Sequence, residues 1–336
     1  MAHIYPSQCG ATVAGVTSTR TVSRAATPGE PAVLELAEIP LGDLAANQLR
    51  VRVLLAGVNF WDVMQRRGDV PLPADGVPGV EGIGIVESVG DGVSADLLGQ
   101  RVVWSKVNSS YASHVQGAAE FFVPVPDALS DTAAAGVLMQ GVTAQYLATD
   151  TTDLQPGDIA LVTAAAGGVG LLLTQFLQAR GVDVIGVVSS SAKAGATRSH
   201  HTLTDSENLN GEVRALAPGG VAAVFDASGG DVSRFFTMLR PRGICVLYGA
   251  AGGPISPIVP GDLGAGSFYV TRTAGRDYSS APSEWLARAQ DVLLHASTGE
   301  LSADVSEVFP LANAAEAHRR LEGRMTTGKI LLRISE

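Results

Sequence analysis

The segment Ala164-Ala-Ala-Gly-Gly-Val-Gly170 lies between an apolar run, Ile159 to Thr163, and a helix-like stretch from about Gly168 to Arg180, closed by Gly181. Set against the spacing G-x-G-x-x-G, Ala165 takes the first glycine position, and Gly167 and Gly170 take the last two. Such a turn suits the binding of a dinucleotide. Gly167 lets main-chain amides approach a pyrophosphate, and Gly170 lets the helix sit close on the strand. The helix N-terminus, with Gly168 and Val169 in its first turn, directs partial positive charge at the phosphates. An ordinary glycine-rich turn has the same composition, so the flanking strand and helix carry the reading.

The tip of the following strand chooses between nucleotides. An NADH site expects Asp or Glu there, about 20 residues past the glycines, to bind the ribose hydroxyls. Here the tip reads Ser189-Ser-Ser-Ala-Lys193, and Asp183 stands at the opposite, starting end of the strand. Hydroxyls of Ser189 and Ser190 can donate to a 2′-phosphate, and Lys193 supplies a positive charge. The expected cofactor is NADPH; the alternative is a solvated serine-rich loop.

Other chemistries lack their residues. Cys9 and Cys245 are the only cysteines, which excludes a disulfide framework and a four-cysteine zinc site, and the six histidines show no ligand spacing. His200 and His201 are adjacent, while His114 and His318 read as surface or packing residues. No metal is expected. No Gly-x-Ser-x-Gly elbow or Walker lysine motif is present. Hydride transfer needs none of these: it needs the cofactor and an electron-poor carbon held in line, and a group that steadies developing negative charge.

Composition agrees with that class. The 336 residues are 46% hydrophobic and 17% charged with 39 glycines, which suits two domains with large cores and many tight turns. A net charge of −10 argues against nucleic acid or anionic membrane as a partner. The polar first twenty or so residues read as a loose extension without a secretory leader, and a reducing cytoplasm is the expected compartment. Ile159 to Ala179 carries no charge, but its centre is the glycine turn, and broken backbone cannot face lipid.

These residues must be positioned by two kinds of element. Up to Val125 short β runs alternate with turns: Leu49 to Leu55, read as a strand with one wet face, then Gly82 to Val89 and Arg101 to Trp104. From Ala133 to Thr149 a helix is predicted, followed by Ile159–Thr163, Val182–Val188, Val221–Phe225 and Ile244–Tyr248 as strands alternating with helices, the rhythm of a parallel sheet. Asn313-Ala-Ala-Glu316 has the form of a capping box opening a helix to Arg324, and Lys329 to Ile334 reads as a last strand.

Five ordered motifs carry a wider resemblance: Gly57-Val-Asn-Phe-Trp-Asp62, Pro78-Gly-Val-Glu-Gly-Ile-Gly-Ile-Val86, Gln140-Gly-Val-Thr-Ala144, Ala164 to Gly170, and Thr326-Thr-Gly-Lys-Ile-Leu-Leu332. Over roughly Arg24 to Ile334 the chain resembles the zinc-free quinone oxidoreductase (zeta-crystallin-like) branch of the medium-chain dehydrogenase/reductase superfamily. Zinc-dependent relatives have a histidine where this chain has Val80. The resemblance implies an α/β protein in which a Rossmann doubly wound parallel sheet domain (136–280) is inserted in a GroES-like β-rich catalytic domain (1–135 and 281–336), commonly as a homodimer. It places Asn59 near the nicotinamide, with Asp62 beside it in the catalytic segment, and Thr143 near the carboxamide or ribose. It puts Gly249 and Ala250 along the cofactor, Phe268 and Val270 on the carboxamide through backbone, and Lys329 near the cofactor cleft. Asn59 and Asp62 also read as polar residues capping a turn.

The branch usually carries tyrosines where this chain has Met64 and Val70, and the segment after Lys193 is about three residues shorter than its usual helix. The expected activity is NADPH-dependent hydride transfer to a quinone or an activated, α,β-unsaturated carbonyl double bond, without metal. The rivals are a discrete enoyl reductase acting on acyl thioesters in polyketide-type biosynthesis, and an NADPH-binding or non-redox tailoring protein that keeps the fold.

Overall fold

A computed structural model describes residues 19–323 and 326–334. The N-terminal extension, Cys9 and the expected helix end at Arg324 lie outside the described residues. The chain divides into two compact units, one of residues 1–139 with 305–336, the other of residues 140–304.

The first unit begins with an antiparallel pair, β1 (Thr19–Ala25) and β2 (Leu34–Pro40), then β3 (Gln48–Val58), helix α1 (Phe60–Arg67), β4 (Gly82–Val89), β5 (Arg101–Trp104), β6 (His114–Ala118) and β7 (Val123–Pro124). Helix α2 (Asp131–Thr149) runs through the point of division. The chain returns as β14 (Val305–Pro310), α7 (Ala314–Glu322) and β15 (Lys329–Arg333), joining a sheet of order β14-β15-β3-β4-β5-β7, with β6 also on β3. Among the described residues of this unit, one apolar cluster gathers around Tyr111, Ala317 and Ile330 and another around Val51, Trp104 and Phe122.

Strand β3 alternates as expected, with Leu49, Val51, Val53 and Leu55 buried on one face and Gln48, Arg52 and Leu54 half-buried on the other; Arg50 is the exception. The strand pairs with β4 on one edge and with β6 and then β15 on the other, and Arg50 is covered on its face of the sheet, where it donates to the Gly42 carbonyl at 2.6 Å. Half-buried Arg52 meets Glu87 at 3.0 Å. The capping box at Asn313 is absent. Asn313 ends a 3₁₀ turn with ψ of 20°, where its side chain makes no cap, and Glu316 pairs instead with Arg319 at 2.5 Å.

The second unit holds β8 (Ile159–Thr163), α3 (Gly168–Ala179), β9 (Asp183–Val188), β10 (His201–Thr204), α4 (Leu209–Leu216), β11 (Val221–Asp226), β12 (Leu239–Leu247), α5 (Pro260–Leu263), β13 (Tyr269–Arg272) and α6 (Pro282–Ser297). Its sheet is parallel throughout in the order β10-β9-β8-β11-β12-β13. Counted within the unit this is 3-2-1-4-5-6, a doubly wound Rossmann order whose direction reverses between β8 and β11. The expected return to the first unit at 281 comes later, after α6, whose buried face includes Trp285 and Val292. Ile159 to Ala179 is strand, turn and helix, and no helix among the described residues is long and apolar enough to cross a membrane.

Candidate functional site

Within the second unit the glycine turn sits where Rossmann sheets bind ligands, at the carboxyl end of the first strand beside the switch point. Ala164 takes a left-handed φ of 50° there, unusual without glycine. A Cβ on Gly170 would meet the Ala164 carbonyl carbon and Ala165 Cα at 3.0 Å, so this glycine is required by helix–strand packing. A Cβ on Gly167 would meet only the Ala164 oxygen, at 3.1 Å. Among the described residues no other neighbour lies within 4 Å of that position, which leaves the close backbone approach a pyrophosphate needs. The first-turn amides of α3, at Gly168, Val169 and Gly170, have no carbonyl one turn back within the helix.

The neighbouring tips converge on the same end of the sheet. Ser189 and Ser190 follow the last residue of β9 and are exposed, and a 3₁₀ turn (Ser191–Ala196) presents half-buried Lys193, whose N–H donates to the Ser190 carbonyl at 3.0 Å. Gly249 and Ala250 follow β12, where a Cβ on Gly249 would meet the Ala227 oxygen at 2.8 Å. Asp183 begins β9, at the far end.

Phe268 and Val270 do not join this group. Strand β13 runs parallel to β12, so Phe268 precedes its amino end and Val270 is its second residue, whereas the carboxyl end is Arg272. The Phe268 N–H donates to the Leu263 carbonyl at 2.9 Å, and its ring stacks on Phe236 at 6.0 Å. Thr273, whose N–H donates to the Leu247 carbonyl, is the residue of this segment at the carboxyl end. Thr143 is half-buried on α2.

The switch point is held by residues the sequence did not single out. Asp226, fully buried at the end of β11, accepts from the Thr163 hydroxyl (2.8 Å), the Ser228 N–H (3.1 Å) and hydroxyl (2.5 Å), and the Gly229 N–H (2.9 Å). Thr163 also accepts the Ala227 N–H at 2.9 Å. The two strand tips that flank the crevice are thereby tied to each other. Buried Cys245 has its thiol pushed up to about 12 by burial and then by the Asp226 charge, so it is inert at neutral pH.

In the first unit a second polar group is built under α1. Asn59 is the N-cap residue, and its main-chain N–H donates to Asp62 Oδ2 at 2.9 Å, so the turn-capping role weighed for this pair is present. The Asn59 side chain does more. Its Nδ2 donates to Glu81 Oε2 at 3.1 Å, and its Oδ1 accepts from Lys329 Nζ at 2.8 Å. Lys329 also donates to Glu81 Oε2, and the Met139 N–H donates to Oε1 at 2.8 Å. Glu81, Asn59 and Lys329 are all buried, and Gly57 leaves the room they occupy, since a Cβ there would meet the Glu81 carboxyl and Lys329 Nζ at 2.9 Å.

Asp62 continues inward. Its Oδ2 also accepts the Tyr111 hydroxyl at 3.1 Å, and that hydroxyl lies 3.0 Å from His318 Nε2. Burial raises the Asp62 carboxyl to about 7 against the opposing pull of the Asn59 N–H and Lys329. Burial, with Arg66 nearby, lowers His318 to about 3, so it is neutral. His114 is also buried and lies 3.1 Å from Glu87. Val80 is buried, and no cluster of three or more His, Cys, Asp or Glu placed to hold a metal occurs among the described residues. Glu81 stands in the Pro78-Gly-Val-Glu motif without an obvious role until the fold brings Lys329 to it; Tyr111 has no local signal at all.

Two family models match the chain: the alcohol dehydrogenase GroES-like domain over residues 45–159, and the zinc-binding dehydrogenase domain over residues 168–290. A quinone oxidoreductase of Pseudomonas aeruginosa is 36% identical over 318 residues, which covers 90% of this chain and 96% of that protein. A 2-haloacrylate reductase of Burkholderia is 37% identical over 311 residues, covering 88% and 93%. The crystal structure of the Escherichia coli quinone oxidoreductase complexed with NADPH superposes with a TM-score of 0.86 at 31% identity, covering 94% of this chain and 100% of that one.

Proposed function

The chain belongs to the quinone oxidoreductase (zeta-crystallin-like) branch of the medium-chain dehydrogenase/reductase superfamily, and from that premise we propose that it is an NADPH-dependent reductase of quinones or activated carbon–carbon double bonds. The observation that carries the reading is the open turn over Gly167 at the switch point of the parallel sheet, the cradle a dinucleotide diphosphate requires. When bound, NADPH supplies a hydride; the acceptor takes it with one proton, giving a saturated carbonyl compound or a hydroquinone, and NADP⁺ is released.

This chain's residues bind and orient. Gly167, Gly168, Val169 and Gly170 hold the diphosphate on main-chain amides, and Ser189, Ser190 and Lys193 receive the 2′-phosphate. Gly249 and Ala250 border the nucleotide on the β12 side, and Thr143 serves its nicotinamide half. The Thr163–Asp226 tie keeps the crevice at fixed width. Asn59, with its amide fixed by Glu81 and Lys329, is the polar group offered to the acceptor or the carboxamide, and Asp62 sets the turn that presents it. The proton comes from water. A cytoplasmic homodimer is part of the same reading.

The test is to mix pure protein with NADPH and a panel of quinones, enones and enoyl thioesters, and follow loss of reduced-nicotinamide absorbance. Turnover of quinones or enones is expected. Turnover confined to enoyl thioesters would assign the chain to acyl reduction instead, and tight NADPH binding without any turnover would make it a binding or non-redox protein.

A further inference from the structure

The tip of β9 has no acid of its own, yet the fold brings one beside it. Strand β10 runs parallel to β9 with Thr204 opposite Val188, and Asp205, the next residue, donates its N–H to the Val188 carbonyl at 2.8 Å. Val188 is the last residue of β9, and Ser189 follows it. Adjacent strands lie about 4.8 Å apart, so the main chain of Asp205 stands one strand spacing from that of Ser189. A carboxylate at this place opposes a 2′-phosphate, and in NADH sites an acid at this end of the sheet accepts the ribose hydroxyls instead.

One residue takes that acid out of play. Arg234, in the 3₁₀ turn Ser233–Met238 that follows β11, donates from Nη1 to Asp205 Oδ1 at 2.8 Å and from Nη2 to Oδ2 at 3.0 Å. The two groups meet fork to fork, which covers both carboxylate oxygens. The guanidinium carbon also lies 4.7 Å from the centroid of the buried Phe235 ring, so the arginine is anchored on its own turn. Other acids near Arg234 are already engaged. Asp226 accepts the four donors described above, and Asp231 accepts the Ser233 N–H at 3.0 Å and its hydroxyl at 2.6 Å. The side chains of Arg234 and Asp205 are 36% and 37% exposed, and an ion pair so wet adds little to folding. Its consequence lies in where the charges stand.

We infer that Arg234 sets the choice of nucleotide by masking Asp205: with both oxygens of the acid beside the β9 tip occupied, the site accepts a 2′-phosphate, and without the arginine the bare carboxylate repels it. This rests on the NADPH reading and adds to Ser189, Ser190 and Lys193 a pair that acts through charge alone.

The parent, Arg234→Gln, Asp205→Asn and the double variant decide it, each titrated by calorimetry with NADPH and with NADH at low ionic strength. Arg234→Gln should weaken NADPH about tenfold, the effect of one partly exposed charge at such a spacing, and leave NADH within about twofold. In 1 M salt, where screening acts over about 3 Å, that loss should shrink. The double variant should bind NADPH as the parent does, because no acid is left to mask. Asp205→Asn alone should bind NADPH at least as tightly as the parent, a reading that stands even if Arg234→Gln fails to fold. Equal losses of both nucleotides in Arg234→Gln, or no loss, overturn the inference, and so does weaker NADPH binding by Asp205→Asn. A double variant as weak as Arg234→Gln also overturns it, by placing Arg234 on the phosphate itself. A parent that binds neither nucleotide removes the NADPH reading and the masking together; a parent that binds NADPH, with variants of unaltered preference, removes the masking alone.

Discussion

The ammonium of Lys329 lies 2.8 Å from the carboxamide oxygen of Asn59, a residue 270 positions earlier in the chain, and both side chains are buried. Glu81 closes the triangle by accepting from each of them. An amide gripped at its oxygen by a cation and at its nitrogen by a carboxylate has one orientation. Asn59 is thus presented in a fixed sense, without side-chain reorganisation during a reaction.

That triangle makes an unequal pair of variants. Lys329→Met should leave the Glu81 carboxylate buried without its counter-charge and lower the unfolding free energy by ~3–5 kcal/mol. The double variant Glu81→Gln/Lys329→Met should regain a large part of that loss while remaining poor in turnover. Urea unfolding of the three proteins reads the first effect, and equal stability of the single variant and the parent would count against a buried ion pair.

The two glycines of the nucleotide turn should respond in opposite ways. Gly170→Ala forces a methyl against the Ala164 and Ala165 backbone and should destabilise the ligand-free protein by ~1–3 kcal/mol. Gly167→Val should leave its thermal unfolding nearly unchanged while abolishing NADPH binding in calorimetry. Normal NADPH affinity in Gly167→Val would refute the diphosphate assignment.

Lys193→Ala should weaken NADPH by about 10- to 100-fold, the range of one charge-assisted hydrogen bond of ~1.5–3 kcal/mol, and leave NADH nearly untouched. Equal losses for both nucleotides would show that Lys193 does not meet the 2′-phosphate.

Thr163→Val removes a hydroxyl that donates to Asp226 and accepts from the Ala227 N–H. Two buried groups then lose a partner, so a stability loss of ~1–3 kcal/mol is expected. NADPH should bind about tenfold more weakly as the crevice loosens, a change of ~1.4 kcal/mol. Thr163→Ser should restore both, and a Thr163→Val protein with unchanged NADPH affinity would separate the tie from the cofactor.

Two buried groups should cancel in the pH profile. Asp62, raised to about 7 by burial and then lowered less strongly by its partners, holds its proton in the native state through a window where the unfolded carboxyl has lost it. Its contribution to stability is therefore present below about pH 4 and lost as pH rises toward 7. His318, lowered to about 3, acts in reverse: its contribution is present above about 6.5 and lost as pH falls toward 3. Each slope approaches ~1.4 kcal/mol per pH unit, with opposite sign. Asp62→Asn should expose the acid lability due to His318, and His318→Gln should expose a decline toward neutral pH. Parallel stability curves for both variants and the parent between pH 4 and 6.5 would refute the assignment.

Local chemistry was the legible part of this molecule. Ile159–Thr163, Gly82–Val89 and Arg101–Trp104 emerge as strands with the bounds their residues suggest, because apolar runs cut by glycine and turn residues carry the signal within a few positions. The glycine turn was legible for the same reason. What eluded local reading depends on pairing across the chain. Arg50 looks like a solvent-facing residue until the loop before β3 brings the Gly42 carbonyl to its guanidinium. The resemblance implies Phe268 on the carboxamide, whereas the register of β13 against β12 puts it at the amino end. Glu81 and Tyr111 gain their roles only when Lys329 and His318 arrive from the far end of the sequence.

Among the described strands β15 comes last in the chain yet is an inner one, lying between β14 and β3. Until it docks, one edge of β3 from Leu55 to Val58 has open amides and carbonyls, and the Glu81 carboxylate has no ammonium beside it. A nascent chain must therefore hold that slot vacant while the whole nucleotide-binding unit, residues 140–304, leaves the ribosome. The same late segment seals the edge and delivers the cation that orients Asn59. A chain cut short before it arrives would lack the sealed edge and the oriented amide together.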